Sequence, residues 1–81
     1  MEDLKEILAK NLRQARNHSC LSQEDLAALA DIDRTYVSGI ERGLRNPTIL
    51  VLARFADALN INAASLLVKD AFSTEIENQE K

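Results

Sequence analysis

Residues 22–47 read SQEDLAALADIDRTYVSGIERGLRNP, and the fold turns on them. Ser22 can cap a helix, with Asp25 at the reciprocal position of a capping box. Leu26, Ala27 and Leu29 give that helix one apolar face. Asp33 can cap a second helix, in which Val37 and Ile40 stand on the inner side at helical spacing. Only Ala30-Asp31-Ile32 lies between them, too short for anything but a sharp corner. Ala27 is small where the second helix must cross close over the first, and Ile32 is apolar and can plug the angle.

A helix-turn-helix requires this spacing. Counted from Gln23, a small residue comes fifth, the turn residue ninth, and apolar residues tenth, fifteenth and eighteenth. The outward side chains of the second helix are then Arg34, Thr35, Ser38 and Arg42, with Tyr36 at the flank and no carboxylate before Glu41. A helix with such a donor-rich face can lie in a major groove of DNA with its N-terminal end at the base edges.

With these residues in view, the chain resembles the Cro/phage-repressor type of helix-turn-helix, the XRE-like family. The matching residues are Leu12, Arg16, LSQEDLA (21–27), Ile32, TYVSGIERG (35–43), RNP (45–47), Leu59 and Ile61. The likeness runs from about Leu8 to Leu67, and RTYVSGIERGLRNPT (34–48) also looks like the small controller proteins of restriction–modification systems. It implies an all-α, lambda-repressor-like bundle of five helices. It also implies that Arg16 pairs with Glu41 and ties the first helix to the recognition helix; otherwise Arg16 is a solvated charge at a helix end. Asp31 stands where the family usually has Gly, and Asp tolerates a left-handed turn better than most residues.

Length and composition set bounds on the rest. The 81 residues suit one domain, and with only three aromatic side chains (Tyr36, Phe55, Phe72) its core must be built from Leu, Ile, Val and Ala. One Pro and two Gly favour helix. Chains this small often need a staple or a partner subunit. The single cysteine, Cys20, rules out an internal disulfide, which leaves oligomerisation and a reducing cytoplasm. No signal peptide or long apolar run is present, so a cytoplasmic, nucleoid-associated bacterial or phage protein with no membrane contact is expected.

A net charge of −3 argues against nucleic acid until the charges are placed. Residues 34–46 carry three arginines against Glu41, whereas residues 70–81 carry four acids against Lys81. The local patch governs phosphate binding.

An amphipathic helix is expected from about Glu2 to Arg16, with Ile7 or Leu8, Leu12 and Ala15 inward, and a loop over residues 17–20. Gly43 suits a left-handed helix end, and Pro47 holds Asn46 extended. Thr48 can cap a helix over Ile49–Leu59 that ends at Asn60, and Asn62 a last helix from Ala63 to about Lys69. ILVLARFADAL (49–59) is more apolar than a surface helix should be. With Ile49, Leu52, Ala53, Ala56 and Leu59 as its inward stripe, Leu50, Val51, Phe55 and Ala58 are left over, as are Leu66, Leu67, Val68 and Phe72 later. These surpluses make a dimer patch, here Leu50, Val51, Phe55, Leu66, Leu67 and Val68, unless both helices are central in the core. The domain then spans residues 1–71, and residues 72–81 form an acidic tail that is either a frayed helix or disordered.

Each outward residue has a use. Arg34 opens the recognition helix, and its choices are a bidentate contact to guanine, a phosphate contact or a solvated charge. Thr35 and Ser38 can bond to a base or phosphate, and Tyr36 can pack on a sugar or cover the core edge. Ser22, Gln23, Arg42, Arg45 and Asn46 are the expected phosphate contacts. Gly39 costs about 1 kcal/mol within a helix, so either DNA or another helix must need the missing side chain. A lone His18 beside Cys20 makes no triad and no zinc set, and there is no glycine-rich phosphate loop. No enzyme activity, cofactor, metal or small-molecule ligand is expected.

Together these features point to a transcriptional regulator that binds a near-palindromic operator in double-stranded DNA as a homodimer. Its place is a restriction–modification controller, a phage or plasmid repressor, or an autoregulating antitoxin. The rival from another class is a protein-interaction module without DNA binding, which the net negative charge favours.

Overall fold

A computed structural model of the chain describes residues 3–73. The elements are α1 Leu4–His18, α2 Gln23–Ala30, α3 Arg34–Glu41, α4 Ile49–Leu59 and a 3-10 helix Ala63–Leu67. No strand occurs among the described residues, and none of their helices is long and apolar enough to cross a membrane.

Short polar side chains start every element. Asp3, Ser22, Asp33, Thr48 and Asn62 each accept a hydrogen bond from a backbone N–H in the first turn that follows. At α2 the box is complete, for Asp25 N–H donates to Ser22 Oγ (2.9 Å) and Ser22 N–H to Asp25 Oδ2 (3.1 Å). The cap at Asp3 sets the start of α1 at Leu4, later than expected; Glu2 lies outside the described residues. At its other end α1 runs on to His18, so the expected loop is shorter.

Left-handed residues end the four α-helices: Cys20, Asp31, Gly43 and Asn60 all have φ between 58° and 74°. The N–H groups of Leu21, Ile32, Leu44 and Ile61, each the next residue, reach back to Arg16, Ala27, Gly39 and Ala56 carbonyls, the Schellman pattern. Leu21, Ile32 and Ile61 also pack against the core, so one residue type both closes the helix and anchors the chain that leaves it.

The expected fifth α-helix is corrected to a 3-10 helix that stops at Leu67. Asn11, fully buried on α1, explains the tightening. Its Nδ2 donates to the Leu66 and Val68 carbonyls (2.9 and 2.8 Å) and lies 3.4 Å from the Ser65 carbonyl. These carbonyls turn toward the amide instead of continuing a helical ladder.

Leu8, Leu12 and Ala15 of α1, Leu26, Ala27 and Ala30 of α2, Val37 and Ile40 of α3, and Phe55 and Leu59 of α4 form one core with Leu66. The expected places of Leu29, Ile49, Ala53, Phe55 and Leu66 are corrected here. Leu29 is 61% exposed, because α2 packs through Leu26, Ala27 and Ala30 and Leu29 falls outside that stripe. On α4, Ile49 and Ala53 face outward while Phe55 is completely buried. Leu66 is likewise fully buried, so neither Phe55 nor Leu66 belongs to an outer patch. Val51 is partly buried against the core, whereas Leu50, Leu67 and Val68 remain exposed. Phe72, the first residue of the tail expected over residues 72–81, packs against the core, and residues 74–81 lie outside the described residues.

The carboxylate of Glu41 fixes α3 against α1 and α2. Arg16 Nε donates to Oε2 at 2.7 Å and its Nη2 to Oε1 at 3.1 Å, a two-point pair with side chains 13% and 3% exposed. Gln23 Nε2 donates to Oε1 from α2 (3.0 Å), and Arg13 Nη1 to the Glu41 backbone carbonyl (3.2 Å). Arg16 also reaches the Leu21 carbonyl (2.8 Å).

Two stability predictions follow from these groups. Glu41→Ala strands a nearly buried guanidinium and destabilises by about 3–5 kcal/mol, while the pair Arg16→Met/Glu41→Leu recovers most of that loss; urea unfolding of the three proteins checks it. Asn11→Leu leaves buried carbonyls unmet and costs about 1–3 kcal/mol. Asn11→Asp, which turns a carboxylate on those carbonyls, lowers the melting temperature further.

Candidate nucleic-acid interface

The corner that presents α3 is held from three sides. Asp31 adopts φ 58° and ψ 47°, and its carbonyl accepts from Arg54 Nη1 of α4 at 3.3 Å. Ile32 N–H donates to the Ala27 carbonyl at 2.9 Å while its side chain packs on the core. Asp33 Oδ1 then accepts from Thr35 N–H at 2.8 Å, so its charge is aimed into the first turn of α3, where the helix dipole favours it.

From this start Val37, Ile40 and Glu41 turn inward and Arg34, Thr35 and Arg42 stand exposed, with Ser38 half-buried between them. Tyr36 is half-buried with its ring on the core edge. Arg45 and Asn46 are exposed on the loop that leaves α3, beside Pro47. Thus α3, its C-cap and the following loop carry Arg34, Arg42 and Arg45, all exposed.

Ser22 and Gln23 sit at the start of α2, where both side chains already serve the fold. Ser22 Oγ accepts from Asp25 N–H, and the Gln23 amide is turned to Glu41, which sets this helix start beside the last turn of α3.

Gly39 has a different reason from either one expected. A Cβ placed there would lie 2.7 Å from Cγ of Arg45 and 3.2 Å from its Nε. The close neighbour is the side chain of a loop arginine, and not a second helix. Arg45 continues over the Tyr36 ring, with Cζ 5.5 Å from the centroid. Sequence periodicity could not have revealed this contact, because it pairs a helix with a loop. Arg13 and Arg54, both bonded to backbone carbonyls at the ends of the motif, were also missed; as charged residues on amphipathic helices they carry no distinguishing local signal.

A family profile described as Helix-turn-helix matches residues 12–66. Control protein C.SmaI of Serratia marcescens is 44% identical over 73 residues, covering 90% of this chain and 87% of that protein. Among solved structures, the restriction-modification controller protein C.AhdI from Aeromonas hydrophila superposes with a TM-score of 0.75 at 40% identity, over 76% of this chain and 94% of that one. Controller protein C.Esp1396I, solved bound to a 19 base pair DNA duplex, superposes at 0.74 with 34% identity, over 80% of this chain and 87% of its own. Likeness of this extent in both sequence and backbone means that the chain belongs to the XRE-like helix-turn-helix family.

Proposed function

We propose that the chain is a sequence-specific transcriptional regulator that binds a near-palindromic operator as a homodimer, and that it is the controller protein of a restriction–modification system. The observation that carries this reading is the row along α3 and its C-cap, exposed Arg34, Thr35 and Arg42 with half-buried Ser38 between them, set on a corner braced by Asp31, Ile32 and Arg54. The likeness to control proteins, one of them solved on DNA, supports both the ligand and the role.

In this reading Arg34 and Thr35, at the first turn of α3, face base edges, with Ser38 and Tyr36 beside them. Arg42, Arg45 and Asn46 take backbone phosphates on one side, and the start of α2 at Ser22 and Gln23 takes one on the other through its exposed N–H groups. The chemistry is recognition without catalysis, and a cytoplasmic location fits it.

The second copy is proposed to dock on the start of α4 and the end of the 3-10 helix. Ile49 and Leu50 are 82% and 76% exposed, and Val68 and Leu67 are 55% and 40% exposed. Large apolar side chains so placed favour burial against a partner. Two copies would set their α3 helices about 34 Å apart, one turn of B-DNA.

Selection from a random duplex pool should return two symmetric half-sites, and the wild-type affinity should fall steeply with salt. Arg34→Ala is expected to relax preference at one position of each half-site, worth about 1–3 kcal/mol, whereas Arg42→Ala weakens all sequences alike and reduces the salt slope by about one. Selection that enriches no sequence defeats the DNA reading. The dimer is checked separately: Leu50→Glu should shift sedimentation at micromolar protein to the monomer, and a wild-type chain that already sediments as a monomer overturns it.

A further inference from the structure

We infer that Gly39 is a positioning residue for DNA binding: its missing side chain leaves a notch on α3 in which Arg45 is laid down, ready to meet the duplex. This rests on the reading of α3 as the DNA-facing helix, and it adds a residue that touches no DNA itself.

The geometry carries it. Arg45 leaves the loop after α3 and would ordinarily be a solvated side chain free to sample many rotamers. Instead, its Cγ, Nε and Cδ all lie within 3.6 Å of where a Cβ on Gly39 would be. Its guanidinium carbon reaches the ring of Tyr36, one turn nearer the start of α3. The arginine therefore lies back along the helix toward the end that bears Arg34. Any side chain at residue 39 occupies the space of Cγ itself, close to the root of the arginine, so a small rotamer adjustment at the tip gives no relief. The rest of residue 39's surroundings impose no such demand, since those arginine atoms are the nearest neighbours a Cβ would meet.

Two consequences with opposite signs follow. In the free protein glycine is a poor choice, because it weakens a helix interior relative to alanine. On DNA it is the better choice, because an arginine already ordered loses less freedom on binding than a solvated one.

The experiment uses the full chain as wild type, Gly39→Ala, Arg45→Ala and the double variant, with the duplex that the wild type selects from a random pool as probe. Gly39→Ala should raise the melting temperature, by up to about 4–8 °C. It should weaken binding by roughly three- to tenfold for each protomer on the duplex, the worth of ordering one long side chain. In the Arg45→Ala background, the same glycine substitution should leave affinity unchanged within twofold. Free-protein NMR supplies an independent readout: with one Tyr and no Trp in the chain, an upfield ring-current shift of the Arg45 side-chain protons reports the seat over Tyr36 and should vanish in Gly39→Ala. Equal loss of affinity from Gly39→Ala with and without Arg45 overturns the inference and means that DNA itself needs the bare backbone. Unchanged affinity in Gly39→Ala, or a ring-current shift that survives it, also overturns the inference while leaving the DNA reading intact. A wild type that selects no sequence ends both.

Discussion

A single carboxylate organises this small molecule. Glu41 lies at the end of α3, almost wholly out of water, and is bonded by Arg16 from α1 and Gln23 from α2. Each tie joins helices that have little apolar surface to share, since α2 and α3 are only eight residues long. Leu, Val and Ala contacts alone set such helices side by side but define their rotation weakly. A two-point guanidinium pair is directional, and a further donor, Gln23 Nε2 sharing Oε1 with Arg16 Nη2, leaves one orientation of α3 that satisfies every group. Net stabilisation from such a buried pair is small once desolvation is counted. Its contribution is to orientation, which is what a helix that projects side chains outward requires.

The same carboxylate changes the electrostatics of the proposed DNA face. By composition, residues 34–46 hold three arginines and one glutamate. In the fold that glutamate faces inward and is neutralised by Arg16, a cation from another helix. Asp33, the nearest other acid, is aimed at the backbone of Thr35. Arg34, Arg42 and Arg45 are therefore left without a carboxylate partner among the described contacts, and Arg45 rests on an aromatic ring instead. An acidic chain can thus present a locally cationic segment, and the field that a phosphate meets there is that of the segment, since charges farther than about 8–10 Å are screened at physiological salt.

Local rules made much of this legible. The caps at Ser22, Asp33, Thr48 and Asn62 depend on one side chain and the next few N–H groups, and all are where the sequence puts them. Asp31, Gly43 and Asn60 are residue types that tolerate a left-handed conformation. Cys20 is not, and so the true end of α1 was hidden. The phase of α4 was hidden for another reason. ILVLARFADAL is apolar nearly all round, so periodicity carries no information about which side is buried, and the bulk of Phe55 decides it. Asn11 carries no local signal: the role of a polar residue on an inward stripe shows only when the carbonyls it serves, more than fifty residues away, are in place. For the site, the outward identities of Arg34, Thr35 and Arg42 followed from helical spacing, whereas Gln23's bond to Glu41 and Arg45's seat on Gly39 are tertiary contacts with no local trace.

The burial of Phe55 and Leu66 also sharpens what a partner surface can be. Once those two side chains are committed to the core, what is left of the expected patch lies at the start of α4 and around Leu67 and Val68, while Leu4, Leu29 and Leu44 are exposed elsewhere on the chain. Ile49 follows Asn46 by only three residues, through Pro47 and the cap at Thr48. The loop that ends the cationic face is therefore the same short, proline-stiffened segment that opens the apolar one. In the proposed dimer this leaves little slack between the contact that joins the protomers and the side chains that meet phosphate. Half-site spacing would then be a property of the fold, set by where α4 begins, and a shift of the interface by one helical turn would move the second recognition helix out of register with the groove.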